Sequence, residues 1–236
     1  MAEIFDVFLN FDLNVFAWIQ SIQSGILNTI MVVITTLGDE GIFFIALGLV
    51  LMCFKKHRKA GIAVLVALLV MEVGNNLILK ELLARPRPFY IFNPDAIPLD
   101  HKYYPELFEK VAASVERLPE LAARWVETYR FPNLVHAPSS WSFPSGHTSS
   151  AFAAAIAVLW YNRKIGIPTV VFAALMGFSR IYVQVHYCTD VLAGALVGIV
   201  YALIGVLIVK FLFPVLDKYI FSKIEEAIKN KKAKKA

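Results

Sequence analysis

Three short stretches of the chain carry residues suited to holding and transferring a phosphoryl group. Lys80 is followed by Arg87–Pro88 in KELLARPRP. Pro144-Ser145-Gly146-His147 opens an apolar run, and Ser179-Arg180 is followed by His186 and Asp190. Each stretch alone has a plain explanation. Lys80 reads as a snorkelling anchor at a helix end, Ser145 as an N-cap, and His186 with Asp190 as a structural hydrogen bond. Together they supply three cations, two imidazoles, one carboxylate and one helix N-terminus. Free backbone N–H groups and the positive dipole end make a helix N-terminus an anion site. Arg87 and Arg180 add planar forks matched to phosphoryl oxygens, and Lys80 adds a point charge.

The histidines supply a reaction. A histidine attacks phosphorus only when it is neutral and correctly oriented. If the last apolar helix begins near Val185, His186 and Asp190 stand at i and i+4 on one face. The carboxylate then fixes the ring tautomer and stabilises the charge that develops on it. His147 is placed to protonate the leaving oxygen and later to deprotonate water. No cluster of carboxylates, cysteines or spare histidines suggests a metal centre. The fixed cations are expected to stabilise the transition state, with no cofactor.

These residues need a frame, and the composition says which kind. Of 236 residues, 58% are hydrophobic and 17% are charged, with a mean hydropathy of +0.62. Soluble domains carry about a quarter charged residues. The balance argues against a disordered chain, a nucleic-acid module or an ordinary soluble enzyme. The reading is all-α: one polytopic membrane domain over residues 1–236, built as a bundle of six transmembrane helices. The uncharged runs place these at about 24–37, 41–54, 60–79 (interrupted by Glu72), 144–161, 165–178 and 191–213, with an interfacial segment before the first. Lys55–Lys59, Arg163–Lys164 and the Lys-rich 214–236 tail then share one side, which the positive-inside rule makes cytoplasmic. Six spans also put the N-terminal segment there, although no Lys or Arg precedes Lys55. That lack of early positive charge argues against a signal peptide.

The other side receives the three motifs and an extracytoplasmic insertion, 89–141. Val111, Val115, Leu118, Ala122, Trp125 and Tyr129 predict amphipathic helix over about 105–129, interrupted by Pro119. A packed cap is its plain role; substrate gating or membrane-surface binding is the sharper one. Gly194 and Gly198 form a GxxxG pair, expected to pack inside the bundle, with a dimer seam as the alternative. Cys53 and Cys188 fall a membrane thickness apart and are expected to be free thiols. Glu72, Asn76 and Lys80 are spaced i, i+4, i+8, one face of a helix. They read either as interhelical hydrogen bonding or as support that holds Lys80.

The three motifs resemble the signature of the type 2 phosphatidic acid phosphatase family, K-x6-R-P, P-S-G-H and S-R-x5-H-x3-D, at every fixed position. The resemblance implies a phosphohistidine on His186 oriented by Asp190, and His147 as the acid. It implies Lys80, Arg87, Ser145, Gly146 and Arg180 as phosphate ligands, without metal. The expected substrate is a membrane lipid phosphate or diphosphate, of the undecaprenyl diphosphate, phosphatidylglycerol phosphate or phosphatidic acid class. The expected setting is a bacterial plasma membrane. Transfer to an acceptor other than water uses the same intermediate. Vanadium-dependent haloperoxidases resemble the signature too, but they are soluble, and the apolar runs argue against that chemistry. A lipid transporter would use the cations but would not require both His147 and the His186–Asp190 pair.

Overall fold

The computed structural model describes residues 2–89, 134–136, 138 and 140–233. The expected helix over 105–129 lies outside the described residues. Among them the regular structure is helical, with no strand. Helix α1 (Ala2–Ile22) is followed by α2 (Gly25–Leu37), α3 (Ile42–Cys53) and α4 (Arg58–Met71). A π-helical stretch, Glu72–Leu79, and a last turn, Lys80–Leu83, extend α4. Then come α5 (Gly146–Tyr161), α6 (Arg163–Tyr182) and α7 (Cys188–Leu216). A π-helical turn, Asp217–Phe221, joins α7 to α8 (Ser222–Ala233).

Local chemistry sets these boundaries. Ser24 accepts a hydrogen bond from Leu27 N, and Asn162 accepts one from Ile165 N, so each caps the helix that follows. The α4 extension ends at Ala84, which adopts the left-handed conformation (φ 43°). The Arg85-Pro86-Arg87-Pro88 run then prevents helix from continuing. Large apolar side chains point outward, such as Leu196, Leu207 and Phe211, as lipid requires of a bundle's rim. The interior is lined by small residues, including Ala63, Ala67, Ala151, Ala154, Ala155 and Ala202, which lets helices approach closely.

The expected count of six spans is not reproduced among the described residues. All six apolar runs are helical, but α2 and α3 descend together along α6. Asn28 Oδ1 accepts from Tyr182 at the top, and Thr35 accepts from Arg180 below it. A Cβ on Gly38 would touch Met176, and Phe43 packs on Phe172 lower still. The pair is bent by 57° at Gly38–Gly41, where Gly41 has φ +68°, a conformation glycine adopts without strain. With 13 and 12 residues, each half is shorter than the roughly 20 residues needed to cross a 30 Å core. Among the described residues three helices are long and apolar enough to cross a membrane, and the count is four where the bent pair is taken as one span. Helix α5 has 16 residues and also joins the two ends, from His147 beside Asp39 to Asn162 beside His57.

Helix α1 lies at the motif-bearing end, where Leu9, Leu13, Phe16 and Ile19 pack with Tyr182, Val185 and Tyr187. The opposite end gathers Lys55, Arg58, Asn162 and Glu225. The N-terminal segment therefore does not share an end with the basic loops, which fits its lack of Lys and Arg. The glycine pair serves packing inside the bundle. A Cβ on Gly194 would lie 2.8 Å from the Ser145 carbonyl oxygen, and one on Gly198 2.6 Å from that of Ser149. Cys53 and Cys188 are free.

Candidate active site

The three motifs converge on one cavity of about 1170 Å³ between α2, α3, α4, α5 and α6. Lys80, Arg87, Gly146, His147, Arg180 and His186 all line it, as do Glu72 and Asn76. Its other wall is apolar and includes Ile42, Ile45, Leu65, Leu68 and Leu69. The volume slightly exceeds the usual range for small-molecule sites, roughly 300–1,000 Å³.

His186 does not lie on a helix. Helix α7 begins at Cys188, not near Val185, so the expected i, i+4 helical face is absent. A helix-entry turn does the same work. Tyr187 is extended, and its N–H donates to Asp190 Oδ2 at 3.0 Å. That bond brings Oδ2 to 3.5 Å from His186 Nδ1. Ser142 sits between the two. Its hydroxyl donates to Asp190 Oδ2, and its oxygen is 3.4 Å from His186 Nδ1. On the other side of the ring, Arg87 Nη1 lies 3.1 Å from Nε2. A guanidinium only donates, so Nε2 is the acceptor and the neutral ring carries its proton on Nδ1. The ring is 1% exposed. Burial first, then the charges of Arg87, Arg180 and Lys80, hold His186 well below the ordinary imidazole pKa. It therefore stays neutral at pH 7.

The cations are held from behind. Arg87 donates from Nε to the Ser140 carbonyl at 2.6 Å, from Nη1 to the Val185 carbonyl at 2.8 Å and from Nη2 to Ser140 Oγ at 2.9 Å. Arg180 donates to Thr35, while its buried Nε has no hydrogen-bond partner among the described residues. An unsatisfied buried donor is costly, and a phosphoryl oxygen in the cavity would satisfy it. Gly146 starts α5 against Lys80. A Cβ there would come within 3.2 Å of Asn76 Oδ1 and 3.4 Å of Lys80 Nζ. Ser145 is fully buried and accepts from Thr148 Oγ1 at 3.0 Å, so Gly146 rather than Ser145 meets the cavity.

Glu72, Asn76 and Lys80 do share a face, although the stretch is π-helical, a form that often marks functional segments. Asn76 Nδ2 donates to Glu72 Oε2 at 2.6 Å. The neighbouring Asn75 joins α4 to the motif turn: Ser149 Oγ donates to its Oδ1 at 3.1 Å, and its Nδ2 reaches the Pro144 carbonyl at 3.5 Å.

Sequence reasoning missed four groups. Arg85 donates to Asp190 Oδ1 at 2.6 Å and to Asp12 Oδ2 at 2.9 Å. Its guanidinium also stacks 3.8 Å from the Tyr187 ring centroid. Asp12, on α1, accepts in addition from Thr189 N at 2.9 Å and Thr189 Oγ1 at 2.7 Å. Both carboxylates are fully buried. Ser142 and Asp39 complete the set. One signal was available for Asp12, because it lies on the same helical face as Leu9, Leu13 and Phe16, where an unpaired charge would be costly. The partners of the other three are set by distant chain segments.

Comparison with known proteins finds lipid phosphatases among the relatives. Undecaprenyl-diphosphatase BcrC of Bacillus subtilis is 50% identical over 97 residues, which cover 40% of this chain and 48% of that protein; the match thus spans about half of that relative's length. An undecaprenyl-diphosphatase of Sulfolobus acidocaldarius is 27% identical over 191 residues, 80% of this chain and 74% of that one. The crystal structure of Aquifex aeolicus LpxE superposes with a TM-score of 0.57 at 26% identity, over 82% of this chain and 93% of that one. That of a PAP2-type phosphatidylglycerolphosphate phosphatase from Bacillus subtilis gives 0.56 at 24% identity, over 91% and 88%, a likeness of fold. Residues 42–214, which hold all three motifs, match the PAP2 superfamily, and the chain belongs to that family of type 2 phosphatidic acid phosphatases.

Proposed function

We propose that the protein is a metal-independent membrane phosphatase that removes the terminal phosphate from lipid phosphates or diphosphates through a phosphohistidine on His186. The observation that carries this reading is the His186 environment: Nε2 faces the arginine-lined cavity while Nδ1 faces Ser142 and Asp190. Lys80, Arg87, Arg180 and the N-terminal amides of α5 take the phosphoryl oxygens. Arg87 Nη1 shifts from Nε2 to an oxygen, which frees the lone pair for in-line attack on phosphorus. As the P–O bond breaks, His147 gives a proton to the leaving oxygen. Asp190, through Ser142 and directly, stabilises the positive charge on His186. His147, now neutral, takes a proton from water, whose oxygen displaces His186 and releases phosphate.

The apolar wall of Ile42, Ile45, Leu65 and Leu69 beside the cations suits an amphiphile whose tail stays in lipid. The two relatives named undecaprenyl-diphosphatase favour a polyprenyl diphosphate as the first substrate to try. Positive charge at the far end of the bundle makes that end cytoplasmic. The site, α1 and the 89–141 insertion then face the extracytoplasmic side, and the 214–236 tail faces the cytoplasm.

The test is phosphate release by purified protein in detergent with a chelator present. The panel comprises undecaprenyl diphosphate, phosphatidylglycerol phosphate and phosphatidic acid, with His186→Ala as blank. Label from the terminal phosphate is expected on His186 after rapid acid-free quenching. Full activity of His186→Ala, or label on another residue, removes the mechanism.

A further inference from the structure

His186 is not the only histidine of the cavity with a carboxylate beside it. His147 Nε2 lies 2.9 Å from Asp39 Oδ1. Asp39 belongs to none of the three motifs. It stands at the break between α2 and α3, and it lines the same cavity. The break itself brings it there. A Cβ on Gly38 would meet the His147 ring carbon Cδ2 at 2.9 Å and Met176 Sδ at 2.5 Å. Gly41 is in the left-handed conformation that lets α3 restart. The span is thus interrupted at the level of His147, and the interruption delivers a carboxylate to the ring.

We infer that Asp39 is a positioning residue for His147, holding its Nε2–H so that the ring is charged and oriented when it protonates the leaving group. This rests on the proposed role of His147 as general acid. Burial of the His147 ring opposes a positive charge there most, and the charges of Arg180 on α6 and Arg87 on the segment after α4 oppose it further. Asp39 opposes them from the α2–α3 break. In the first half-reaction the imidazolium keeps Nε2–H on Asp39 and gives the proton of its other nitrogen to the leaving oxygen as the P–O bond breaks. In the second, that nitrogen takes a proton from water as the oxygen attacks the phosphohistidine. Asp39 stays ionised throughout, and no proton is stored on it. The two histidines then have matched support, Asp190 for the nucleophile and Asp39 for the acid.

The test uses two soluble probes with leaving groups of different basicity. Phenyl phosphate needs its leaving oxygen protonated much more than p-nitrophenyl phosphate does. The full-length Asp39→Asn protein is expected to lose at least about tenfold in kcat on phenyl phosphate, a part of the roughly 10²–10⁴ that a general acid supplies. Its loss on p-nitrophenyl phosphate is expected to be less than about threefold, and Asp39→Glu should recover most of the difference. The basic limb of the pH–rate profile should also move to lower pH in Asp39→Asn, because the charged ring has lost its counter-ion. Structural damage would lower both probes alike. His147→Ala separates the two readings. If it shows no leaving-group dependence, the acid role of His147 fails. If it shows the dependence while Asp39→Asn does not, or if Asp39→Asn is as fast as the unmodified protein, the Asp39 inference fails alone.

Discussion

Arg85→Met should destabilise the protein strongly, and the loss should depend on pH in a defined direction. Arg85 is the cation between two fully buried carboxylates, at 2.9 Å from Asp12 and 2.6 Å from Asp190. Methionine fills much of the volume but leaves both negative charges facing each other. Removing one partner of a buried ion pair costs about 3–5 kcal/mol. The carboxylates keep some donors, Thr189 N and Oγ1 for Asp12, and Tyr187 N and Ser142 Oγ for Asp190. These hold the cost within that range rather than above it. One carboxyl can escape the repulsion by taking up a proton, which raises its pKa in the folded variant above the unfolded value of about 3.9. The folded variant then binds more protons than the unfolded chain, so its stability falls as pH rises. The deficit should grow by about 1.4 kcal/mol per pH unit between the pKa this carboxyl has beside Arg85 and its higher value in the variant. Reversible unfolding in mixed detergent, followed by the fluorescence of the four tryptophans, measures this directly. At pH 8 the deficit should be about 3–5 kcal/mol, and near pH 5 it should be much smaller. Adding Asp12→Asn to Arg85→Met should recover part of the loss, whereas Asp12→Asn alone should destabilise. A deficit below about 1 kcal/mol at pH 8, or one that does not change with pH, would refute the buried-pair argument.

Other outcomes follow from the same geometry. Gly146→Ala puts a methyl 3.2 Å from Asn76 Oδ1 and 3.4 Å from Lys80 Nζ; KM for the phosphate substrate should rise several-fold with little change in melting temperature, and an unchanged KM counts against Gly146 as a phosphate contact. Gly198→Val forces a side chain into the Ser149 carbonyl at 2.6 Å. It should cost about 1–3 kcal/mol or more of stability, whereas loss of a dimer without loss of stability would mark a seam between copies instead. The rate should be bell-shaped in pH, with its acid limb below the ordinary imidazole value of about 6.5, because His186 is held low and stays unprotonated as pH falls through that value. A flat profile between about pH 4 and pH 10 would contradict the acid–base pair. Ser142→Ala should lower kcat by about tenfold with KM unchanged, since it removes the bridge from Asp190 to His186 Nδ1. A change in KM alone would move Ser142 from the reaction to binding.

Much of this was legible in the chain because the signals are local. Apolar runs bounded by charge mark the helices, and the helix that opens at Gly146 follows its motif directly. Helix periodicity carries Glu72 and Lys80 to one cavity even through a π-helical stretch. The His186–Asp190 pairing was expected for a different reason from the one observed. Their spacing suggested a helical face, while the bond is made by an extended turn capped by Asp190 itself. The six-span count is not reproduced among the described residues for a related cause. An uncharged run reports that a segment is buried in apolar surroundings, and it does not report whether two short helices turn back or continue. That choice belongs to Gly38 and Gly41 and to the flank of α6 along which both halves descend.

The sequence by itself determined the chemistry on offer: which side chains carry charge, which rings attack or protonate, and which segments must leave water. Those properties belong to residue types and short spacings, so they survive without a fold. Only the tertiary structure decided who supports whom. Asp12 reaches Arg85 across 73 positions of chain and Asp39 reaches His147 across 108. No local pattern encodes such partners, because a buried charge constrains only the distance to its counter-ion in space and not their separation along the backbone.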